Sequence, residues 1–139
     1  VTQKVNEVMT PAPVTVPPDT PLTEVGDLMR QHGIGDVLVV HEGRLRGLVT
    51  DRDIVVRAVA AGRDPADTSV AEICSTNLIT IDSAEDADAA VGLMREHAIR
   101  RVPVVEGDRP IGVVSIGDLA VQRDERSALA DISAEPPNV

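Results

Sequence analysis

Apolar positions along the chain follow two rhythms, and both rhythms occur twice. Leu22, Val25 and Met29 are spaced i, i+3, i+7, and Ala87, Ala90 and Met94 repeat that spacing. Such spacing predicts a helix with one buried face. Thr20 before Pro21 is the predicted N-cap of the first, with Pro21 at its first helical position. Ser83, three residues before Asp86, is a capping-box-like start for the second. The short β-branched runs Val14-Thr15-Val16 and Ile79-Thr80-Ile81 predict strands. Val37–Val40 and Val102–Val105 are continuous apolar runs between turn residues and predict buried strands. Glu42-Gly43 and Gly107-Asp108 supply turns, and Leu48-Val49 and Val113-Val114 the returning strands. A second helix is predicted over Asp53–Ala61 and from Asp118 onward. The predicted class is α/β (α+β), in the order β-α-β-β-α, twice over.

The two halves match residue by residue. Val5–Ile54 superimposes on Val70–Leu119 without a gap, an offset of 65 residues. Leu28-Met29-Arg30-Gln31-His32 lies over Leu93-Met94-Arg95-Glu96-His97, and Gly47-Leu48-Val49-Thr50 over Gly112-Val113-Val114-Ser115. Units that repeat in this way do not bury their apolar faces alone. Two copies related by a pseudo-twofold axis are therefore expected: residues 1–62, a connector 63–69, and 70–132 with a C-terminal helix, then a frayed tail 133–139. Gly62 is the expected helix stop and Pro65 the breaker.

Composition narrows the functions. The 139 residues include no Phe, Tyr or Trp, and the formal net charge is -10. Single-strand nucleic-acid binders stack bases on aromatic rings, and phosphate backbones repel acidic surfaces. No nucleic-acid partner is expected. No apolar run approaches the ~18 residues of a membrane span, and Val1–Lys4 opens no signal region. No membrane contact and a cytoplasmic location are expected. The single Cys74 excludes an intramolecular disulfide; it reads as a small core hydrophobe, against the alternative of a reactive thiol.

The candidate chemistry lies where the returning strand meets the second helix. Thr50-x-x-Asp53 and Ser115-x-x-Asp118 read as capping boxes with Asp in place of Glu. Binding is compatible with capping, because a helix N-terminus favours anions and a carboxylate there accepts bonds from two vicinal hydroxyls. Arg100 and Arg101 precede the second strand of copy two and suit phosphate; the alternative is a pair of solvated edge charges. Their counterparts are Gly35 and Asp36, so two inequivalent sites are expected, the one on Asp118 dominating. His32 and His97 end the long helices, where histidine suits the dipole. With His41 and Cys74 they lack zinc-ligand spacing, and no metal is expected. No nucleophile–base pair or phosphate-cradling loop is present, so no enzyme is expected.

The repeat resembles the CBS motif over roughly Lys4 to Val121. The resemblance is carried by Val8-Met9-Thr10, by Ile99-Arg100-Arg101-Val102-Pro103-Val104-Val105, and by the strings Gly47–Val55 and Gly112–Leu119. The run Thr50–Val55 with Gly62-Arg63-Asp64-Pro65 is similar to stand-alone bacterial members. The family implies tandem CBS motifs, often paired into a flat homodimer, with an adenosyl small molecule (AMP, ADP, ATP or S-adenosylmethionine) between motifs. It implies ribose roles for Asp53 and Asp118, with Thr50 and Ser115 on ribose or phosphate. The adenine would then lie among Val14, Ile79, Ile34 and Ile99, since no aromatic residue is available. A regulated protein, unidentified, is the implied partner, with no further domain expected after the second motif. An adenine nucleotide would be a ligand, not an obligatory cofactor. A ligand-free interaction module is the alternative.

Overall fold

The structure is a computed structural model that describes residues 3–123. The readings for the stretch after Arg123, a continued helix to 132 and a frayed tail, lie outside the described residues.

The elements run α1 (Val5–Val8), β1 (Thr10–Pro11), β2 (Thr15–Val16), α2 (Leu22–His32), β3 (Asp36–His41), β4 (Arg44–Thr50) and α3 (Asp51–Asp53). A π-helical turn, Ile54–Val59, extends α3, and a 3₁₀ turn follows at Val70–Glu72. The second copy gives β5 (Ile81–Asp82), α4 (Ala87–His97), β6 (Arg101–Glu106), β7 (Arg109–Ser115) and α5 (Ile116–Arg123). The fold is α+β, with strand–helix–strand–strand–helix repeated.

The described chain forms two compact units, one from residues up to Pro13 with those from Ile79 onward, the other Val14–Leu78. In the second of these, β2 runs parallel to β3 and β3 antiparallel to β4. Leu22, Val25 and Met29 of α2 are buried with Val37, Val39 and Val49 of the sheet. The other unit has strand order β1-β7-β6-β5. There Ala87, Ala90 and Met94 of α4 are buried with Val102, Val104 and Val114. Burying each such Val, Leu or Met side chain contributes about 1.5–3 kcal/mol.

The packed units are offset from the sequence repeats, because each repeat's leading segment packs in the unit of the other repeat. The Val70 N–H donates to Thr20 O (2.8 Å) and Leu22 N–H to Thr68 O (3.0 Å). At the same offset, Val5 N–H donates to Glu85 O (2.8 Å) and Ala87 N–H to Gln3 O (2.7 Å). Two helix-start N–H groups thus find partners in a distant segment.

Those contacts change both predicted N-caps. Pro21, with extended ψ of 148°, is the cap residue of α2, and Thr20 is buried with its hydroxyl donating to Pro17 O (2.8 Å). Asp86 is the cap residue of α4 without a side-chain cap bond; its carboxylate takes Lys4 Nζ at 2.8 Å, and the Ser83 N–H donates to Val105 O. Both helices end at His32 and His97 as expected, and each is followed by a left-handed residue, Gly33 (φ 61°) and Ala98 (φ 53°). Gly62 is left-handed too (φ 75°), at the expected stop. The second helix of copy one starts two residues earlier than predicted, at Asp51, because Thr50 caps it.

Candidate functional site

The register brings the candidate residues of each unit to one end of its sheet. In the Val14–Leu78 unit, Asp36 at the start of β3 lies opposite Thr50 at the end of β4. The Leu38 N–H donates to Val14 O at 3.0 Å, and the Asp51 N–H to Gly35 O at 3.0 Å. Val14 and Ile34 are partly buried against that unit's core. In the other unit Arg101 lies opposite Ser115, and the Ile116 N–H donates to Arg100 O at 2.9 Å. Ile99 is partly buried against the second core, and Ile79 is half-buried just before β5. Pro103 stands where Leu38 stands but has no N–H, so it cannot bind the Ile79 carbonyl. Arg100 and Arg101 are both exposed.

Both helix heads carry complete capping boxes. Thr50 Oγ1 accepts from Asp53 N–H (3.1 Å), and Asp53 Oδ2 accepts from Thr50 N–H (2.9 Å). Ser115 Oγ accepts from Asp118 N–H (3.1 Å), and Asp118 Oδ2 accepts from Ser115 N–H (2.9 Å). In each case one carboxylate oxygen makes the cap. The second oxygen differs between copies. Asp53 Oδ1 faces Arg57 Nε at 3.8 Å, while Arg57 Nη1 donates to Ile73 O at 3.1 Å. Asp118 Oδ1 accepts from Thr10 Oγ1 at 3.4 Å, a long bond that a better donor can displace.

Arg57 was not singled out from sequence, and Thr10 was named only within the motif string Val8-Met9-Thr10, without a role at the site. Arg57 lies one helical turn after Asp53, a spacing that the sequence does display. Thr10 comes from the exchanged leading segment, and nothing local to it signals a contact with Asp118. The π geometry of Ile54–Val59, in which Ala60 N–H donates to Val55 O (2.8 Å), was also not anticipated. The matched α5 is α-helical.

Cys74 is half-buried and packs on the first core, and burial pushes its thiol above the ordinary range. The repeat pairs it with Met9. Each sulfur lies over a glycine of the returning strand: Cys74 over Gly47 and Met9 over Gly112. His32 and His97 are the last residues of α2 and α4. Among the described residues no group of three or more His, Cys, Asp or Glu is placed to hold a metal. No described helix is long and apolar enough to cross a membrane.

Two α+β units, each ending a β-hairpin in a helix headed by a hydroxyl–Asp capping box, define a tandem-repeat module. The CBS domain pattern matches residues 5–59 and 70–123, and the chain belongs to that family as a CBS-domain pair. It is 41% identical over 133 residues to the CBS domain-containing protein YhcV of Bacillus subtilis, covering 93% of this chain and 94% of that protein. It is similar in structure to hypoxic response protein I, solved with two coordinated zinc ions: 31% identity, TM-score 0.77, 86% of this chain and 98% of that one. A third relative is the CBS domain pair of protein MJ0100, solved with 5-methylthioadenosine and S-adenosyl-L-methionine: 26% identity, TM-score 0.81, 91% and 100% coverage.

Proposed function

We propose that this CBS pair is a non-catalytic regulatory module that binds adenosyl compounds, with a ribose diol on the Oδ1 atoms of Asp53 and Asp118. The duplicated cap carries this reading. Each helix head holds a carboxylate fixed by a backbone N–H through one oxygen, leaving the other to face a replaceable side-chain partner. Thr50 and Ser115 stand beside it for ribose or phosphate, and the partly buried Val14, Ile34, Ile79 and Ile99 provide the apolar surface for adenine. Arg100 and Arg101 supply the phosphate cation, which makes the Asp118 site the tighter one for nucleotides. The ligands named in the MJ0100 complex support the same ligand class. The protein acts in the cytoplasm on an unidentified partner. Val55, Val56 and Val59 are 57%, 50% and 57% exposed, and we assign that apolar face to a homodimer.

Calorimetric titration of AMP, ATP and S-adenosylmethionine into wild type and Asp118→Ala tests the reading. Charged hydrogen bonds of about 1.5–3 kcal/mol each predict a loss of about tenfold to a hundredfold in affinity. A purely structural cap predicts a lower melting point, by about 1 kcal/mol of stability, and unchanged affinity. Equal affinities overturn the assignment. If no adenosyl compound binds wild type, the interaction-module reading, favoured by the exposed valine face, replaces it.

A further inference from the structure

The two helix heads share geometry but carry opposite charge. Opposite the capping hydroxyl stands Asp36 in copy one and Arg101 in copy two. The residue whose carbonyl receives the first helical N–H is Gly35 in copy one and Arg100 in copy two. The first helical residue is Asp51 in one and Ile116 in the other. Asp51 is held close by: a Cβ on Gly35 would meet its Oδ2 at 3.0 Å, and its Oδ1 accepts from Arg52 N–H at 2.8 Å. The basic groups on this helix are Arg52, whose matched position is Gly117, and Arg57, which faces Asp53 Oδ1. Counting all of these with Asp53 and Asp118, copy one bears three carboxylates and two guanidiniums, and copy two one carboxylate and two guanidiniums.

We propose that the two sites are selective by charge: the Asp53 site takes uncharged or cationic adenosyl compounds, and the Asp118 site takes adenosine phosphates. This rests on the ribose role proposed for the two acids. A nucleotide phosphate carries about −1.5 to −2 at neutral pH. At the Asp53 site it would enter beside Asp36 and Asp51, and a like charge opposes it. A sulfonium or ammonium group there gains from the same carboxylates. At the Asp118 site, Arg100 and Arg101 favour phosphate, and Ile116, 49% exposed, adds apolar surface where copy one has a charge.

The test titrates adenosine, AMP and S-adenosylmethionine into wild type, Asp118→Asn and Asp53→Asn, each checked for a cooperative melt. In Asp118→Asn, where only the first acid remains, adenosine and S-adenosylmethionine should bind at least about tenfold tighter than AMP. In Asp53→Asn, AMP should bind at least about tenfold tighter than adenosine. If a variant does not fold, exposed Asp51→Asn in the wild-type background reads the same charge: it should strengthen AMP more than adenosine at the weaker AMP site. Binding of all three ligands without discrimination, AMP preferred by Asp118→Asn, or no differential effect of Asp51→Asn overturns the selectivity alone. Failure of wild type to bind any of the three overturns the ribose reading, and the selectivity with it.

Discussion

Replacing Gly112 by Ala should expose how the exchanged leading segment is held. A Cβ at Gly112 would fall 2.5 Å from Met9 Sδ and 2.8 Å from Thr10 O. The sulfur ends a flexible side chain and can move. The carbonyl belongs to β1, which pairs antiparallel with β7 through Thr10↔Val113 and Pro11↔Gly112. Relief therefore requires β1 to shift, and overpacking of this kind costs about 1–3 kcal/mol. We expect about 2–3 kcal/mol for Gly112→Ala. At Gly47 the obstacles are Cys74 Sγ at 2.6 Å and Ser75 O at 3.1 Å, so the backbone intrudes less and about 1–2 kcal/mol is expected. Urea unfolding followed by far-ultraviolet circular dichroism gives both values, the midpoint falling while the slope stays constant. Adding Met9→Ala to Gly112→Ala should restore only part of the loss, because Thr10 O remains. A Gly112→Ala protein within about 0.5 kcal/mol of wild type, or full rescue by Met9→Ala, would refute the argument. The same variant reaches the proposed ligand site, because Thr10 Oγ1 meets Asp118 Oδ1.

Ala98 closes α4 in the left-handed region at φ 53°, where its matched residue is Gly33. Ala98→Gly should therefore stabilise the protein by about 0.5–1 kcal/mol, and a lower melting temperature would contradict the assigned backbone conformation. Glu72 accepts from Ser69 N–H (2.7 Å) and Ser69 Oγ (3.2 Å) and pairs with Arg63 (2.8 Å), and these hold its carboxyl below the ordinary 4.5, the Ser69 N–H most of all. Its folded pKa is depressed, so its contribution is present above that ordinary value and is lost as pH falls through the folded one. The stability gap between wild type and Glu72→Gln should stay level from neutrality down to about pH 5 and then close; a gap that widens in acid would be the contrary result.

Much of this fold was legible in the chain because period and repeat are local signals. The i, i+3, i+7 faces of α2 and α4 are buried as read, and the turn at Glu42-Gly43 joins β3 to β4. What was not legible depends on partners distant in sequence. An offset of 65 residues says which positions correspond, not which copy a segment packs on. Gln3 and Thr68 thus gave no sign that they cover the N-termini of α4 and α2, and the predicted Thr20 and Ser83 caps were displaced by those contacts. One signal was present and unused: at the repeat's own offset, Met9 matches Cys74 and Gly112 matches Gly47. A sulfur-bearing side chain and a strand glycine, paired twice, fit a close approach between two segments.

The capping reading and the binding reading of Thr50-x-x-Asp53 and Ser115-x-x-Asp118 need not compete, and the geometry gives the reason. A carboxylate has two oxygens with about four acceptor positions. The cap uses one oxygen, at 2.9 Å in both copies, and this bond fixes the side-chain rotamer before any ligand arrives. A side chain already ordered loses less entropy on binding, so the cap lowers the cost of association at its other oxygen. It follows that loosening the helix head should weaken binding, over and above the loss of the bond proposed from the capping hydroxyl to ribose or phosphate. Ser115→Ala keeps the Ser115 N–H bond to Asp118 Oδ2 and removes the Oγ that receives the Asp118 N–H, the second bond holding the helix head in register. Its ligand affinity should fall by less than that of Asp118→Ala but by more than nothing. If Ser115→Ala bound as tightly as wild type while losing about 1 kcal/mol of stability, preorganisation through the cap would be excluded.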